Sequence, residues 1–199
     1  IYGGTATSKA TLTTSDKMSR NLIERLAILP RMMNTENPDV VKMNPVNIDG
    51  SKKYILLMSP YQEHSLRTEA VGTSDLSWTE IQKALATFEG RASPLCKGGM
   101  GEINNVILHQ HENVRLFNDY GAGGNVKAAR ALFMGRQAAV VAYGQAGNGT
   151  RFQWVEESKD AGNRVAIYAG TIVGTKKSRF NGYDFGVAAV DTYAANPNP

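Results

Sequence analysis

The chain has 199 residues, of which 42% are hydrophobic and 20% charged, and its formal net charge at pH 7 is +4. These values are ordinary for a domain that buries a core, and they exclude a disordered acidic tail, a coiled coil and a disulfide-stapled miniature scaffold. The 20 glycines and 7 prolines favour many short elements joined by turns over a few long helices. We therefore expect a mixed α+β protein.

The cysteine content and the distribution of charge limit the possible partners. The single cysteine, Cys96, cannot form an intramolecular disulfide or a dithiol site, which makes a reducing compartment the simplest interpretation. Each quarter of the chain carries a net charge of +1, whereas a nucleic-acid-binding protein concentrates its cations on one stripe. The one local basic cluster, residues 176–179, is interpreted as a solvated turn, with a nucleic-acid contact as the alternative.

We expect neither a membrane-spanning helix nor a signal peptide in this chain. No run of 18 apolar residues occurs, so no membrane-spanning helix is predicted, and the first residues lack the pattern of a signal peptide. Because residue 1 is isoleucine, we expect it to follow a longer N-terminal part of the gene product.

The N-terminal part of the chain is predicted to contain an extended arm followed by a helix. Residues 1–14 are rich in Thr, Ser and Gly without a period, and Ser15 or Asp16 then offers a helix N-cap. One helical face is formed by the apolar residues Met18, Leu22, Ile23, Leu26 and Leu29. Pro30 removes a backbone hydrogen bond, so the helix either ends near Leu29 or continues past a kink through Met33.

Short elements follow in the rest of the chain. The predicted order is a strand over 53–58, helices over 61–67 and 79–88, a loop over 91–105, a strand over 106–109, a loop over 121–125, a helix over 126–134 and a strand over 138–143. Period-two alternation then predicts strands over 165–169 and 185–189, with turns at Gly170, Gly174 and Gly182. This order lacks a regular βαβ alternation, which favours the α+β class.

A metal site is the most specific chemical candidate. On a strand, residues two apart lie on one face, so His109 and His111 could both reach a metal ion. A zinc site requires a third and usually a fourth ligand, and the remaining histidine of the sequence is His64. Two imidazoles at the end of a strand are more often rim residues, so we predict no metal site.

Two nucleophile candidates are weaker. Ser59, His64 and Asp75 contain the residue types of a hydrolase triad, but no Gly-x-Ser-x-Gly elbow surrounds the serine. Cys96 is followed by Lys97, but no histidine lies nearby in the sequence to form a nucleophile pair. We therefore predict no catalytic residue.

A glycine cluster has the composition of a phosphate-binding loop. Gly121, Gly123 and Gly124 precede the helix predicted over 126–134, and a helix N-terminus can bind phosphate. However, Val126 stands where a dinucleotide fingerprint requires glycine. We interpret the cluster as a flexible surface loop and predict no cofactor.

An acidic group near the C-terminus could bind a cation. It consists of Glu156, Glu157 and Asp160. Because Arg151 and Lys159 lie close in the sequence, a salt-bridged surface is the simpler interpretation.

Three segments resemble a known family. Residues 54–62, 128–142 and 170–187 are similar to segments of the major capsid proteins of podophages related to phage N-four. The two most specific runs are aromatic-Met-Gly-x-Gln-Ala, beginning at Phe133, and Gly-x-Lys-Lys-x-Arg-Phe-Asn-Gly-x-Asp-Phe-Gly, beginning at Gly174. The resemblance spans about residues 2–193, and members of this family are longer at the N-terminus.

The resemblance also implies a fold. The family is similar to the wider group of tailed-phage shell proteins with the Hong Kong ninety-seven fold, which has a spine helix, here over 15–33, a peripheral domain and an axial domain. The implied division is 1–54 for an arm remnant, the spine helix and part of the peripheral domain, 55–150 for the axial domain, and 151–199 for return strands that complete both. The family implies no catalytic residue.

The implied function is structural: assembly as hexamers and pentamers into the icosahedral head shell of a tailed phage around double-stranded DNA. The implied partners are further copies of the chain, scaffolding, portal and decoration proteins, and packaged DNA by non-specific contact, without a membrane. The shell would assemble in the bacterial cytoplasm and form the virion capsid. The alternatives are an encapsulin-like compartment shell and, from another class, a metal-dependent hydrolase that uses His109 and His111.

Overall fold

A mixed β-sheet of seven strands carries the core in the computed structural model of the chain, which describes residues 1–48, 50–68, 100–144 and 151–198. The elements of this part are, in chain order, α1 (Arg20–Glu36), β1 (Val46–Ile48), β2 (Ser51–Met58), α2 (Pro60–Arg67), β3 (Gly101–Ile103), β4 (Val106–Gln110), β5 (Leu116–Tyr120), β6 (Val126–Met134), β7 (Ala139–Tyr143), β8 (Phe152–Lys159), β9 (Arg164–Thr171), β10 (Val173–Lys177), β11 (Arg179–Phe180), β12 (Tyr183–Asp184) and β13 (Val187–Tyr193). The predicted α+β class is confirmed. Among the described residues, no helix has the length and apolar character needed to cross a membrane.

The strand order in the central sheet is β13-β6-β2-β4-β3, with β1 paired to β2 and β5 paired to β6. β2 and β4 are parallel, and the other pairs of this sheet are antiparallel. One edge of β6 pairs with β13 along its length. The other edge of β6 pairs with β5 near its start and with β2 near its end. Strand β6 is therefore hydrogen-bonded on both sides.

The helix predicted over 126–134 is wrong, because these residues form β6. The alanines of this segment favour a helix by less than about 1 kcal/mol per residue over ordinary residues. Pairing on both edges satisfies the backbone of β6 and outweighs that preference. The small side chains of Ala128, Ala129 and Ala131 are fully buried in the middle of the sheet, where larger ones would not fit without repacking.

Helix α1 begins later than predicted and does not stop at Pro30. Its N-cap is Ser19, whose hydroxyl accepts a hydrogen bond from a first-turn N–H (3.3 Å), instead of Ser15 or Asp16. The helix continues through the buried Pro30, which decides between the two alternatives that the sequence left open. Its buried face consists of Leu22, Ile23, Leu26, Ala27 and Pro30, close to the predicted face.

The main core lies between α1 and the sheet. It combines Met18, Leu22, Ile23, Leu26 and Ala27 with strand residues that include Tyr54, Leu56, Met58, Val106, Leu108, Phe133 and Val190. These residues come from all three predicted divisions, 1–54, 55–150 and 151–199, so the three divisions share one core. Their assignment to peripheral and axial domains stays a prediction.

Helix α2 begins at Pro60, close to the predicted start, and a buried glutamine ties it to the sheet. The Ser59 hydroxyl accepts a hydrogen bond from the Gln62 N–H (3.3 Å), and the Gln62 side-chain oxygen accepts one from the Ser59 N–H (2.9 Å). The Gln62 amide nitrogen donates to the Ala129 carbonyl (3.1 Å) in β6 and to the Thr192 hydroxyl (2.7 Å) in β13. One fully buried side chain thus connects α2 with two strands.

A two-residue turn joins β3 to β4 inside the predicted loop over 91–105. Ile103 pairs with Val106, and the intervening Asn104 and Asn105 have φ values of 46° and 65°. Two positive φ values are typical of a type I′ turn, where asparagine is favoured. The loop prediction is therefore wrong for residues 101–103, which form β3, whereas residues 104–105 do form a turn. Residues 91–99 and the helix predicted over 79–88 lie outside the described residues.

The N-terminal arm runs beside β13. Isolated bridges connect Tyr2 and Lys17 to that strand. Between them, the buried Asp16 carboxylate accepts hydrogen bonds from the Thr5 N–H (3.2 Å) and from the N–H and hydroxyl of Thr13 (both 2.8 Å). The arm covers a strand edge whose backbone groups would otherwise be unpaired.

Three ribbons of two strands each lie outside the central sheet: β7 with β10, β8 with β9, and β11 with β12. The strands predicted over 138–143 and 165–169 are confirmed as β7 and β9. Gly170 and Gly174 lie inside β9 and β10, so the turns predicted there are wrong. Gly182 does lie in a turn, between β11 and β12. Of the strand predicted over 185–189, the residues from Val187 onward belong to β13.

Candidate assembly surface

Between β6 and β13 the chain leaves the central sheet and returns to it at one point. There the Gly135 N–H donates a hydrogen bond to the Gly186 carbonyl (3.0 Å). A Cβ atom on Gly186 would lie 2.1 Å from the Gln137 carbonyl oxygen, and one on Gly135 would lie 2.5 Å from the Asn44 carbonyl oxygen. Glycine is therefore needed at both positions for this close approach of backbones. We call residues 136–186 the insertion.

The insertion carries most of the large apolar side chains that are exposed in the described part of the chain. They are Val140, Val141, Tyr143, Phe152, Trp154, Val155, Val165, Ile167, Tyr168, Ile172, Val173, Phe180 and Tyr183. Single exposed apolar residues are normal on a protein surface, but a contiguous set of them marks an interaction site. The β8·β9 ribbon is such a set, because every residue of β8 is exposed.

The two faces of the β8·β9 ribbon differ in chemistry. Directly opposite residues share a face, and one face contains the pairs Phe152–Thr171, Trp154–Ala169, Glu156–Ile167 and Ser158–Val165. We call this the apolar face. Trp154 is 64% exposed and Ile167 is 55% exposed, so the described chain leaves this face uncovered. The opposite face is mainly polar and carries Gln153, Val155, Glu157, Lys159, Arg164 and Tyr168.

The acidic group predicted from the sequence is divided between these two faces. Glu157 forms an ion pair with Lys159 (3.2 Å) on the polar face, as expected for a salt-bridged surface. Glu156 lies on the apolar face and has no ion pair within the described residues. Asp160 lies in the turn after β8, with a φ of 56°. The three carboxylates therefore do not converge on one cation site.

Arg151 makes a different contact from the one expected. Its guanidinium carbon lies 3.4 Å from the centroid of the Tyr143 ring and 5.2 Å from that of Phe152. It therefore stacks on aromatic rings instead of joining the acidic group. This contact connects β7 with the start of β8.

A basic cleft of about 500 Å³ lies beside β7 and β10. Its cationic lining residues are Arg136, Lys176, Lys177 and Arg179, and its aromatic ones are Phe180 and Phe185. The cluster predicted as a solvated turn over 176–179 is thus divided between the end of β10 and the start of β11. It is exposed, but it also lines a cavity.

The charges of the basic cleft are only partly compensated. Asp184 accepts a hydrogen bond from Lys177 and forms ion pairs with both Lys177 and Arg179. The hydrogen bond from Lys177, together with the charges of both cations, lowers the pKa of Asp184 below its usual value. Arg136 and Lys176 have no carboxylate partner among the described residues. The cleft therefore has an uncompensated positive charge.

The histidines considered as metal ligands do not form a cluster. His109 lies in β4 beside Leu57 of β2, and His111 follows the strand. The Nδ1 atom of His111 accepts a hydrogen bond from the Asn113 N–H (3.1 Å). His64 lies on the exposed side of α2. In the described ranges, no group of three or more His, Cys, Asp or Glu side chains could hold a metal ion.

The residues considered as nucleophiles are not assembled into a site by the described part of the chain. The Ser59 hydroxyl is buried and occupied as the N-cap of α2. His64 is exposed in the same helix. Asp75 and Cys96 lie outside the described residues.

The glycine cluster forms a turn between two strands. The Gly124 N–H donates to the Gly121 carbonyl (3.0 Å), and both residues have positive φ values. Because strand β6 follows instead of a helix, no helix N-terminus is available here to bind a phosphate.

Strand β8 was not predicted from the sequence, although Trp154 and Phe152 have the highest fractional exposure of the aromatic side chains in the described part of the chain. Phe152 and Trp154 alternate with the polar Gln153, and this period of two is the signal that could have identified the strand. The same alternation would have indicated one apolar face.

Comparison with known proteins identifies the family of the chain. The sequence profile of the family described as "Phage capsid protein" matches residues 2–196. A curated relative, the major capsid protein of Pseudomonas phage KPP25, is 31% identical over 121 residues, which cover 53% of this chain and 30% of the relative.

Solved structures agree with this match. The capsid of Ralstonia phage GP4 has a TM-score of 0.84 and 54% identity, over 100% of this chain and 53% of that one. The capsid of Cyanophage Pam1 has a TM-score of 0.63 and 21% identity, over 94% of this chain and 50% of that one. The capsid of Helicobacter pylori bacteriophage KHP30 has a TM-score of 0.55 and 16% identity, over 94% of this chain and 61% of that one. At these low identities, the Pam1 and KHP30 capsids show similarity of fold alone.

The chain spans about half the length of the capsid chains that it matches in structure. The resemblance found in the sequence is confirmed over nearly the whole chain. The chain therefore belongs to the phage capsid protein family.

Proposed function

We propose that the chain is part of the subunit that self-assembles into the icosahedral head shell of a tailed phage and encloses double-stranded DNA. The observation that carries the proposal is the apolar face of the β8·β9 ribbon in a member of the phage capsid family. In the described part of the chain, Phe152, Trp154 and Ile167 are each more than half exposed. Removing such side chains from water contributes about 25 cal/mol per Å² of apolar surface, from which the costs of association are subtracted.

The architecture of the insertion supports repeated contacts between copies. Two chemically different surfaces, the apolar face and the basic cleft, lie on the same chain. Contacts between unlike surfaces are head-to-tail, and they close into rings when the rotation between copies permits. Hexamers and pentamers of a shell are rings of this kind. The assignment of residues 1–54, 55–150 and 151–199 to peripheral and axial domains is part of the same proposal.

The proposed partners are further copies of this chain, together with scaffolding, portal and decoration proteins. Packaged DNA would be contacted without sequence specificity, because contacts to phosphates carry no sequence information. The proposed location is the virion capsid after assembly in the bacterial cytoplasm.

We also propose that the side chains of this subunit catalyse no reaction. The engagement of the Ser59 hydroxyl as a helix cap supports this view. The absence of catalysis is also supported by the His111 ring, whose Nδ1 atom is engaged by a hydrogen bond from the Asn113 N–H. The comparisons name phage capsids, so they favour neither the encapsulin-like compartment nor the hydrolase based on His109 and His111.

The test is expression of the full-length protein and electron microscopy of the purified product. We expect shells, tubes or rings of subunits. The double variant His109→Ala, His111→Ala should assemble like the wild type. A protein that stays monomeric at every concentration, with or without a scaffold, and that turns over a small molecule would contradict the proposal.

A further inference from the structure

We propose that the apolar face of the β8·β9 ribbon of one subunit docks in the basic cleft of a second copy of this chain. The inference rests on the proposed function, because it names the two surfaces through which neighbouring shell subunits meet. Both surfaces belong to the insertion, residues 136–186, and neither involves the core of the central sheet.

The apolar face carries one negative charge at its centre. Glu156 lies between Trp154 and Ser158 along β8 and is directly opposite Ile167 of β9. No ion pair satisfies Glu156 among the described residues. When the surrounding apolar side chains are buried in an interface, an unpaired carboxylate among them loses its hydration. The partner surface of this face must therefore supply a cation as well as apolar area.

The basic cleft has the complementary chemistry. Arg136 and Lys176 offer cations that no described carboxylate neutralises, and the exposed ring of Phe180 offers apolar area. Its volume of about 500 Å³ is large enough for an aromatic side chain such as that of Trp154. An aromatic and anionic surface thus meets an aromatic and cationic one, which provides both packing and charge complementarity.

A second copy is the occupant because both surfaces are exposed in the described part of the chain and carry complementary charges. No residue of β8 or β9 lines the cleft, and every residue of β8 is exposed. The contact is therefore between unlike surfaces of two subunits. Repetition of such a contact forms a ring or an open chain of subunits.

A phosphate group of packaged DNA is the alternative occupant of the cleft, and it would account for fewer of the lining residues. Phosphate would use the cations, but it would not use the aromatic wall formed by Phe180 and Phe185. Nor would it account for the carboxylate of Glu156 within an apolar face. We therefore favour the second copy and treat DNA binding by the cleft as an outcome of the test.

The test is a charge swap in the full-length protein. Glu156→Lys and Lys176→Glu, each made alone, should raise the protein concentration needed for assembly by about tenfold, because each reversal brings like charges together. The double variant, Glu156→Lys with Lys176→Glu, should assemble within about threefold of the wild-type concentration. Light scattering measures the threshold, and circular dichroism of the unassembled protein verifies that each variant folds.

The matched control is Glu157→Lys, on the same strand but on the polar face. Assembly at the wild-type threshold would support the proposal, whereas a defect equal to that of Glu156→Lys would contradict it. Normal assembly of Glu156→Lys would overturn the docking and leave the proposed function intact. If Lys176→Glu assembles normally but packages less DNA, the docking proposal is overturned and the cleft is assigned to DNA binding. Failure of the wild type to assemble would overturn both.

Zero-length cross-linking provides a second measurement that does not depend on any variant. A carbodiimide joins a carboxylate to an amine only when the two groups are in contact. In particles assembled from isotope-labelled and unlabelled subunits, we expect a mixed-isotope cross-link between Glu156 and Lys176. Cross-links of Glu156 exclusively to lysines outside the basic cleft would overturn the proposal.

Discussion

Arg130 in β6 and Asp191 in β13 are directly opposite each other in an antiparallel pair and are joined by two hydrogen bonds of 2.7 Å. The Tyr120 hydroxyl donates to the same carboxylate (2.8 Å). The backbone of Asp191 also accepts a hydrogen bond from the Gly3 N–H and donates one to the Ile1 carbonyl (both 2.9 Å). The arm, β5, β6 and β13 therefore meet at one residue: β5 and β6 contact its carboxylate, and the arm contacts its backbone.

Replacing this carboxylate should destabilise the protein. Asp191 is buried and its side chain accepts three hydrogen bonds, whereas Arg130 is 40% exposed and keeps part of its hydration. We expect Asp191→Asn to lower the free energy of unfolding by about 2 kcal/mol, less than for a fully buried pair. Urea unfolding of the unassembled protein measures the change.

The control for this prediction is Asp119→Asn. Asp119 forms an ion pair with Lys9 at the surface, and both side chains are largely exposed. Exposed pairs contribute about 0–1 kcal/mol, so this variant should change stability little. Equal losses in the two variants would contradict a special role of Asp191.

Tyr120 should make stability depend on pH in the alkaline range. Burial, followed by the hydrogen bond to Asp191, raises the pKa of Tyr120 from 10.0 to about 12. Between these values the unfolded chain releases the phenol proton while the folded chain keeps it, so the free energy of unfolding falls as the pH rises. Below pH 10 this contribution is fully present.

The variant Tyr120→Phe tests this pH dependence. It should be less stable near neutral pH but should lose less further stability between pH 10 and about 12. Urea unfolding at a series of pH values measures both slopes. Identical slopes for wild type and variant would show that another group titrates in this range.

The sequence predicts those elements whose local pattern and tertiary environment agree. The face of α1, the strand β2 and the start of α2 at Pro60 follow from periodicity and capping. β6 was missed because its alanines favour a helix locally, whereas its pairing partners lie far away in the sequence. The hairpin at Asn104 was missed because β3 is too short to show a period.

The candidate assembly surface was predictable only in part. The basic cluster over 176–179 was noticed, but its convergence with Arg136 depends on how the insertion folds. The acidic group was noticed as well. Neighbouring residues of a strand lie on opposite faces, so recognising β8 would have separated Glu156 from Glu157. Because β8 was not recognised, this separation was missed.

Gln62 should be one of the most sensitive polar positions. Gln62→Leu removes the hydrogen bonds to the Ala129 carbonyl of β6 and the Thr192 hydroxyl of β13, and it leaves the Ser59 N–H without its side-chain partner. We expect a loss of about 3 kcal/mol in urea unfolding. Gln110→Leu, at the exposed end of β4, is the matched control and should change stability by less than about 0.5 kcal/mol.

The turn at Asn105 should respond to backbone preference alone. Its φ of 65° is accessible to asparagine and glycine but costs alanine about 1 kcal/mol. Asn105→Ala should therefore lower the free energy of unfolding by about that amount, and Asn105→Gly should leave it nearly unchanged. Thermal unfolding of both variants measures the difference. Equal stability of the two would indicate that the turn rearranges.

Trp154 should matter for assembly but not for folding of the unassembled chain. Its side chain is 64% exposed, so Trp154→Thr, which keeps the preference for a strand, should change the free energy of unfolding by less than about 0.5 kcal/mol. In an interface the same change removes a large buried aromatic side chain, the kind of residue that contributes most to binding. The concentration needed for assembly should therefore rise by about tenfold or more. Val155→Thr, on the polar face of the same ribbon, should have a much smaller effect, because that face is not the one whose burial the proposal requires.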